Sequence, residues 1–412
     1  MQAADSPSAQ RPRCHDFDSV AAWLRLTCTP GLGRLAAARL LQYHGTPQAV
    51  LAASHDTRSS QNADNNSDDN NDDETPSLTA AQAGALRAPL SARARALIDA
   101  TLCWTNQPGH HLLTYNDDGY PPLLRHIPDP PLLLHARGNA ALLTRTAIGV
   151  VGSRNATTQG RLNAERFARS LAEAGVTIVS GLALGIDAAA HAGALSGAGS
   201  TIAVIGTGID IVYPAANAVL AARIAEGGCV VSEFTLGTPA RAAHFPIRNR
   251  TISGMARGVL VVEAAERSGS LITARCANEQ GRDVYAIPGS IHATLSKGCH
   301  RLIREGAQLV ETADHILAAL DVRESMMHAT MDRAGTHDVN TGNASCEDAM
   351  LTSLQQAARP LLEALSFDPV SADDLATRLQ LDAADTQASL LALELAGVVE
   401  RLPGGAFQRL KR

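Results

Sequence analysis

Residues 147–154 read Ala-Ile-Gly-Val-Val-Gly-Ser-Arg, a short apolar run that stops on glycine and polar residues. The same figure recurs downstream: VTIVSG at 176–181, TIAVIG at 201–206, CVVSE at 229–233, GVLVVEA at 258–264 and DVYAIPG at 283–289. Each run is apolar throughout, as a strand buried on both faces requires. Between them lie helix-period segments at 158–174, 186–196, 220–226 and 271–280. Strands alternating with helices demand right-handed crossovers and a parallel sheet covered on both faces.

The pattern therefore predicts an α/β chain: a Rossmann-like, doubly wound, mostly parallel sheet over residues 110–320. Upstream, residues 15–105 predict a helical domain. Its segment Pro30-Gly31-Leu32-Gly33 between two apolar stripes fits either a helix-hairpin-helix offering backbone N–H groups to a phosphate or a plain αα-hairpin with a glycine turn. Residues 54–76 are Asn, Asp and Ser in low complexity, too polar to offset ordering entropy, and are expected as a disordered insertion. Residues 79–104 read as one helical segment. The Pro-rich stretch 112–139 reads as an irregular connector. Residues 321–352 read as a linker. Residues 353–412 predict a small winged helix, with helices near 359–365, 371–379 and 385–396 and a hairpin turning at Gly404-Gly405. The third of these helices carries no Lys or Arg, which favours contact with protein over reading of duplex DNA.

The net charge of −6, taken as a total, disfavours a polyanion partner. Six acids without one base, however, fall between Gln61 and Glu74, and without them the formal charge is zero. A neutral body can still carry a local basic cleft. Aromatics are only 3% of residues, so the core must be aliphatic. Seven scattered cysteines with no CxxC pair argue for reduced thiols and a cytoplasmic setting. No apolar run approaches the roughly 18 residues of a membrane helix, and the polar N-terminus lacks a signal-peptide core.

Ligands of a doubly wound sheet sit at the carboxyl ends of its strands. Gly152-Ser153-Arg154 ends the first strand with a glycine, a helix start and a guanidinium. Ser180-Gly181 ends the second, where Asp187 is read as a helix cap. Gly206-Thr207-Gly208 ends the third. The densest segments are 244–254, with Phe245 and the consecutive donors Arg248, Asn249 and Arg250, and 263–274, with Ser268, Gly269, Ser270 and Thr273 at a helix start. Such a set can bind several phosphates in a row; the structural alternative is that Arg248 or Arg250 pairs internally with Glu233 or Glu263. Phe245 and Tyr213 are the candidates for stacking a base. No histidine has a metal-ligand partner at helical spacing. GxSxG and GxxxxGK[ST] are absent, and nothing pairs Glu233 or Glu263 with a nucleophile. No cofactor, metal or catalytic residue is called for.

These motifs together resemble the DNA-processing protein A (DprA, Smf) family. The resemblance is carried by LLTYNDDGYPPLL, IGVVGSRNATTQG, IVSGLALGIDAAAH, TIAVIGTGIDIVYP, VVSEF, HFPIRNRTISG, VVEAAERSGSLITA, GRDVYAIPGS and RLIREGA, nearly everything from 112 to 309. It implies a non-enzymatic, dimeric protein of natural transformation that binds single-stranded DNA, protects incoming strands and helps load the recombinase RecA. It implicates Arg154, the Arg248-Asn249-Arg250 run and Ser268-Gly269-Ser270 in the DNA pocket. Ile247 and Ala192 stand where a basic residue is common, and His300 where Asn is common. The first two lower the charge near the groove. The rival reading is a Rossmann enzyme of the phosphoribohydrolase type. Those enzymes carry PGGxGTxxE; here the helix start is RSGSLITA, without a Glu at that spacing, although Glu279 lies further along.

Overall fold

The structure is a computed structural model that describes residues 16–56, 78–320, 359–365, 369–402 and 405–410. The expected linker lies outside these residues, and so does the expected insertion apart from its first three positions, which close a helix.

Among the described residues the chain opens with five helices: α1 (Phe17–Cys28), α2 (Arg34–His44), α3 (Pro47–Asp56), α4 (Ala80–Arg87) and α5 (Ala92–Thr105). The helical segment expected at 79–104 is made of two helices, α4 and α5. Pro89 follows Ala88, whose extended backbone ends α4, and Ser91 starts α5 afresh by accepting from the Ala94 amide.

The Pro-rich connector proves to be structural. It contains β1 (His110–Thr114), α6 (Pro122–Arg125) and β2 (Leu133–Gly138), and both strands join the main sheet. The remaining strands are β3 (Ala147–Val151), β4 (Thr177–Ser180), β5 (Thr201–Val204), β6 (Cys229–Ser232), β7 (Gly258–Val261), β8 (Asp283–Ala286) and β9 (Gln308–Leu309). Their order is β1-β2-β6-β5-β4-β3-β7-β8-β9. β1, β2 and β6 pair antiparallel; every other pair is parallel.

The helices between them are α7 (Thr158–Glu173), α8 (Ile186–Ala194), α9 (Ala218–Gly227), α10 (His244–Met255), α11 (Ser270–Glu279), α12 (Lys297–Arg304) and α13 (Ala313–Ala319). Alternation along the strands divides the side chains between two cores. Val151, Val179, Val204 and Val259 face Ile252 and Met255 of α10 and Ala274 of α11. Ile148, Val150, Ile178 and Leu260 face Ala164, Phe167 and Leu171 of α7 and Ala190 of α8.

The C-terminal unit has α14 (Arg359–Ala364), α15 (Ala372–Leu379), α16 (Ala383–Leu395) and a small sheet ordered β10-β12-β11, from β10 (Val370–Ser371), β11 (Val399–Arg401) and β12 (Ala406–Arg409). Among the described residues no helix is long and apolar enough to cross a membrane, and no group of His, Cys, Asp or Glu is arranged to hold a metal. Cys28, Cys103, Cys229, Cys276 and Cys299 are free thiols.

Candidate nucleic-acid interface

The strand order reverses at β3, which pairs with β4 on one side and β7 on the other. The chains leaving β3 and β7 diverge there and open a crevice. A groove of about 720 Å3 occupies it. The Ser153 amide donates to the Glu263 carbonyl at 2.7 Å, which ties its two banks together. A Cβ on Gly152 would meet that same carbonyl oxygen at 2.9 Å, so the approach needs glycine.

One wall is aromatic and cationic. Arg154 is exposed, and its guanidinium carbon lies 5.5 Å from the Phe245 ring centroid. Tyr213 sits 5.6 Å from Phe245 on a tilted plane. The ring face holds the guanidinium over the groove. The opposite wall is the first turn of α11, with Ser268, Gly269, Ser270 and Thr273 lining the groove. The positive end of that helix opens where an anion would lie.

The floor holds a buried cation. Arg248 of α10 is 4% exposed and donates from Nη1 to the Val204 carbonyl at 2.6 Å. Burial pushes its pKa down to about 10, against the attraction of Asp187. Asp187 accepts from the Gly181 and Ala183 amides at 3.1 and 3.3 Å. Burial raises its carboxyl, opposed by Arg248 and those amides. Asp187 is therefore not the helix cap expected from sequence. The cap position belongs to Gly185, and the carboxylate staples the loop before it.

That loop is held from behind by His191. The Leu182 amide, at a positive φ of 57°, donates to His191 Nε2 at 3.2 Å. His191 Nδ1 lies 2.7 Å from Thr201 Oγ1, which itself donates to the Ile178 carbonyl. The network assigns the proton to Nδ1. Burial, with Arg248 nearby, lowers the imidazole pKa to about 3, so the ring is neutral.

Of the residues singled out from sequence, Gly152, Ser153, Arg154, Phe245, Arg248, Asn249, Ser268, Gly269, Ser270 and Thr273 line this groove. Gly181 lies beneath it: a Cβ there would strike the Arg248 guanidinium. Gly206 packs on Phe245, Gly208 on the 235–238 connection, and Thr207 is buried with its hydroxyl on the Ile211 carbonyl.

Arg250 requires a correction. It is not among the groove-lining residues; it bonds Glu233 at 2.7 Å and Asp129 at 3.1 Å, and Asp129 also holds Arg34 of α2 at 2.9 Å. Three residues on α10 cannot all face one way, and position 250 faces Asp129, ahead of β2, and Glu233, past the end of β6. Glu233 is thereby a pairing partner; Glu263 accepts from the amide and hydroxyl of Thr157. Sequence reading missed Arg241, which lines the groove from the connection between β6 and α10. A lone Arg among alanines carries no motif; its position ahead of Phe245 is the only available signal.

The chain thus combines an open doubly wound sheet, a cationic groove at its switch point, N-terminal helices and a winged helix. Residues 111–321 match the DNA recombination-mediator protein A family, and residues 347–405 match the DprA winged helix domain. The chain is 43% identical to Protein Smf of Escherichia coli over 323 residues, which cover 77% of this chain and 82% of that one. It is 51% identical to DNA processing protein DprA of Streptococcus pneumoniae over 205 residues, covering 50% and 72%. The X-ray structure of DprA from Streptococcus pneumoniae superposes with a TM-score of 0.57 at 38% identity, covering 73% of this chain and 97% of that one. The chain belongs to the DNA-processing protein A (DprA/Smf) family.

Proposed function

We propose that the protein binds single-stranded DNA in the β3/β7 groove and acts in DNA processing during natural transformation. The observation that carries the reading is the groove itself. It joins an exposed Arg154 braced on Phe245, a buried Arg248 and the N-terminus of α11, with Tyr213 free to stack a base. Phosphates would lie on the cations and the helix end, and bases on the rings. Protection of incoming strands, help in loading RecA, homodimer formation and a cytoplasmic setting are part of the same proposal, and rest on family membership.

A binding role rather than catalysis is favoured by the hydroxyls. Ser268 and Ser270 are bonded to each other at 2.7 Å, and among the described residues neither meets a histidine or a carboxylate. The winged helix is proposed as a protein-contact unit, since α16 has no Lys or Arg. The test is to incubate the full chain with fluorescent oligo-dT and, separately, with AMP. A shifted band without base release supports the reading. Release of adenine without strand binding overturns it in favour of a phosphoribohydrolase.

A further inference from the structure

A second cleft, of about 920 Å3, lies between α1, the α4–α5 turn and the connection that follows β6. Its charged lining is one-sided: Arg25, Arg93, Arg241 and His244 reach it, and among the described residues no carboxylate does. In a chain of net charge −6 that segregation sets up a local positive field between low-dielectric walls. Arg93 and Arg241 are exposed and pair with no acid among the described residues. Arg25 is fixed by donating to the Leu86 carbonyl at 2.9 Å. The floor is aliphatic, with Leu24 and Ile98 buried and Leu90 and Leu236 partly so. The N-terminal end of α5, capped by Ser91, also opens here, and both Ser91 and Arg93 line the cleft.

Arg241 lines this cleft and the β3/β7 groove alike. Resting on the proposed single-strand function, we infer that the cleft is a second track for the same strand, which passes from the groove over Arg241 and on between the N-terminal helices and the sheet. A polyanion with apolar faces suits guanidinium groups above an aliphatic floor. An acidic peptide would suit the charges too, but the shared Arg241 makes the cleft continuous with a site for nucleic acid. The N-terminal helices would then take part in binding directly, and affinity would depend on strand length.

The test uses the full chain with fluorescent oligo-dT of about 6 and about 20 nucleotides, lengths that span typical single-strand site sizes. Arg93→Glu is the informative variant. It places an acid in the first turn of α5, which favours the helix, so fraying cannot account for lost binding. Wild type should hold the longer strand more tightly. Arg93→Glu should weaken the longer strand about tenfold and flatten its log–log salt slope by roughly 0.7 for each lost phosphate contact, with the short strand unchanged. Equal wild-type affinity for both lengths overturns the second track and leaves the groove standing. So does unchanged long-strand binding by a variant with native circular dichroism. Equal weakening of both lengths places Arg93 at the groove and also overturns it. Failure of wild type to bind either strand overturns the function itself. Photocrosslinking of the longer strand to the peptide containing 85–98 is the positive signature.

Discussion

Glu400 of the winged helix caps a helix in another part of the chain: its carboxylate accepts from the Thr158 amide at 2.9 and 3.0 Å and from the Thr158 hydroxyl at 2.7 Å. Thr158 begins α7, so an acid sits on the positive end of a 16-residue helix. Glu400 also adds to the upward shift of the Glu263 carboxyl, whose main cause is burial. The contact fastens β11 beside the first strand-to-helix turn, three residues past Asn155 of the groove lining.

Breaking this contact has a local signature. Glu400→Gln keeps the shape and removes the charge; Glu400→Ala removes both. A helix-end contact of this kind contributes about 1 kcal/mol, so amide exchange at Thr158 should quicken ~5-fold in the alanine variant. Oligo-dT affinity should rise slightly, because a negative charge leaves a position within about 10 Å of the groove by chain reach. Hydrogen exchange and anisotropy titration check the two effects. Unchanged exchange at Thr158 would mean that the winged helix does not rest there in solution.

The cations of the groove should separate by salt titration. Arg154→Ala removes an exposed guanidinium, so folding should survive, and the log–log salt slope for oligo-dT should flatten by roughly 0.7. Arg248→Ala should weaken binding and also lower stability by about 3 kcal/mol, since the Val204 carbonyl loses its donor and Asp187 is left buried without its cation. Sequence preference should stay unchanged for both, because phosphate contacts carry no base information. Wild-type affinity and slope in a folded Arg154→Ala protein would place the strand elsewhere.

The strands and their glycine endings were legible because buried parallel strands announce themselves as unbroken apolar runs, and β3 to β8 fall where those runs lie. β1 and β2 were not. His110 to Thr114 is a half-polar strand at the sheet edge with an intermediate-to-buried profile, and the prolines around Pro121 and Pro130 gave the region the look of a connector. Ten groove residues were legible as the ends of strands and starts of helices. Arg250 was placed with the strand-binding donors, with pairing to Glu233 as the alternative, because adjacency in sequence does not say which helix face a side chain occupies. Its second partner, Asp129, comes from the far side of the sequence and is seen only in the fold. Arg241 was invisible for the opposite reason: it lies in an irregular segment and becomes part of a site only when β6 and α10 fold it beside Phe245.

Arg250 should behave as a structural residue. Arg250→Ala leaves Glu233 buried without its cation and Asp129 with Arg34 alone, a loss of about 3 kcal/mol and a fall in Tm on the order of 10 °C. The salt slope for oligo-dT should not change. Arg250→Met combined with Glu233→Gln should recover part of the stability, because the buried charge leaves with its partner. Thermal melts and salt titrations of the two variants decide it; a flattened slope in either would return Arg250 to the strand.

The buried histidines set an acid limit on stability. His191 is held neutral with its pKa lowered to about 3, and His135 of β2 is lowered by burial to about 4. Unfolded, each takes up a proton near pH 6.5. The unfolded state therefore binds more protons in the window between, and stability falls as pH drops from about 6.5 toward 4. Each histidine contributes about 1.4 kcal/mol per pH unit across that window. Asp187, Glu233 and Glu263, all raised by burial, act in the opposite sense nearer the carboxylate range, so the total slope alone does not isolate the imidazoles. The difference between two proteins does. His191→Gln retains an acceptor for the Leu182 amide and a donor for Thr201 but cannot titrate. Its stability will be lower at pH 7, and its dependence on pH between 6.5 and 5 should be shallower than wild type by one proton's worth. Urea unfolding of both proteins at a series of pH values measures this directly. Parallel curves, offset by a constant, would show that His191 is already the doubly protonated cation in the folded state over that range.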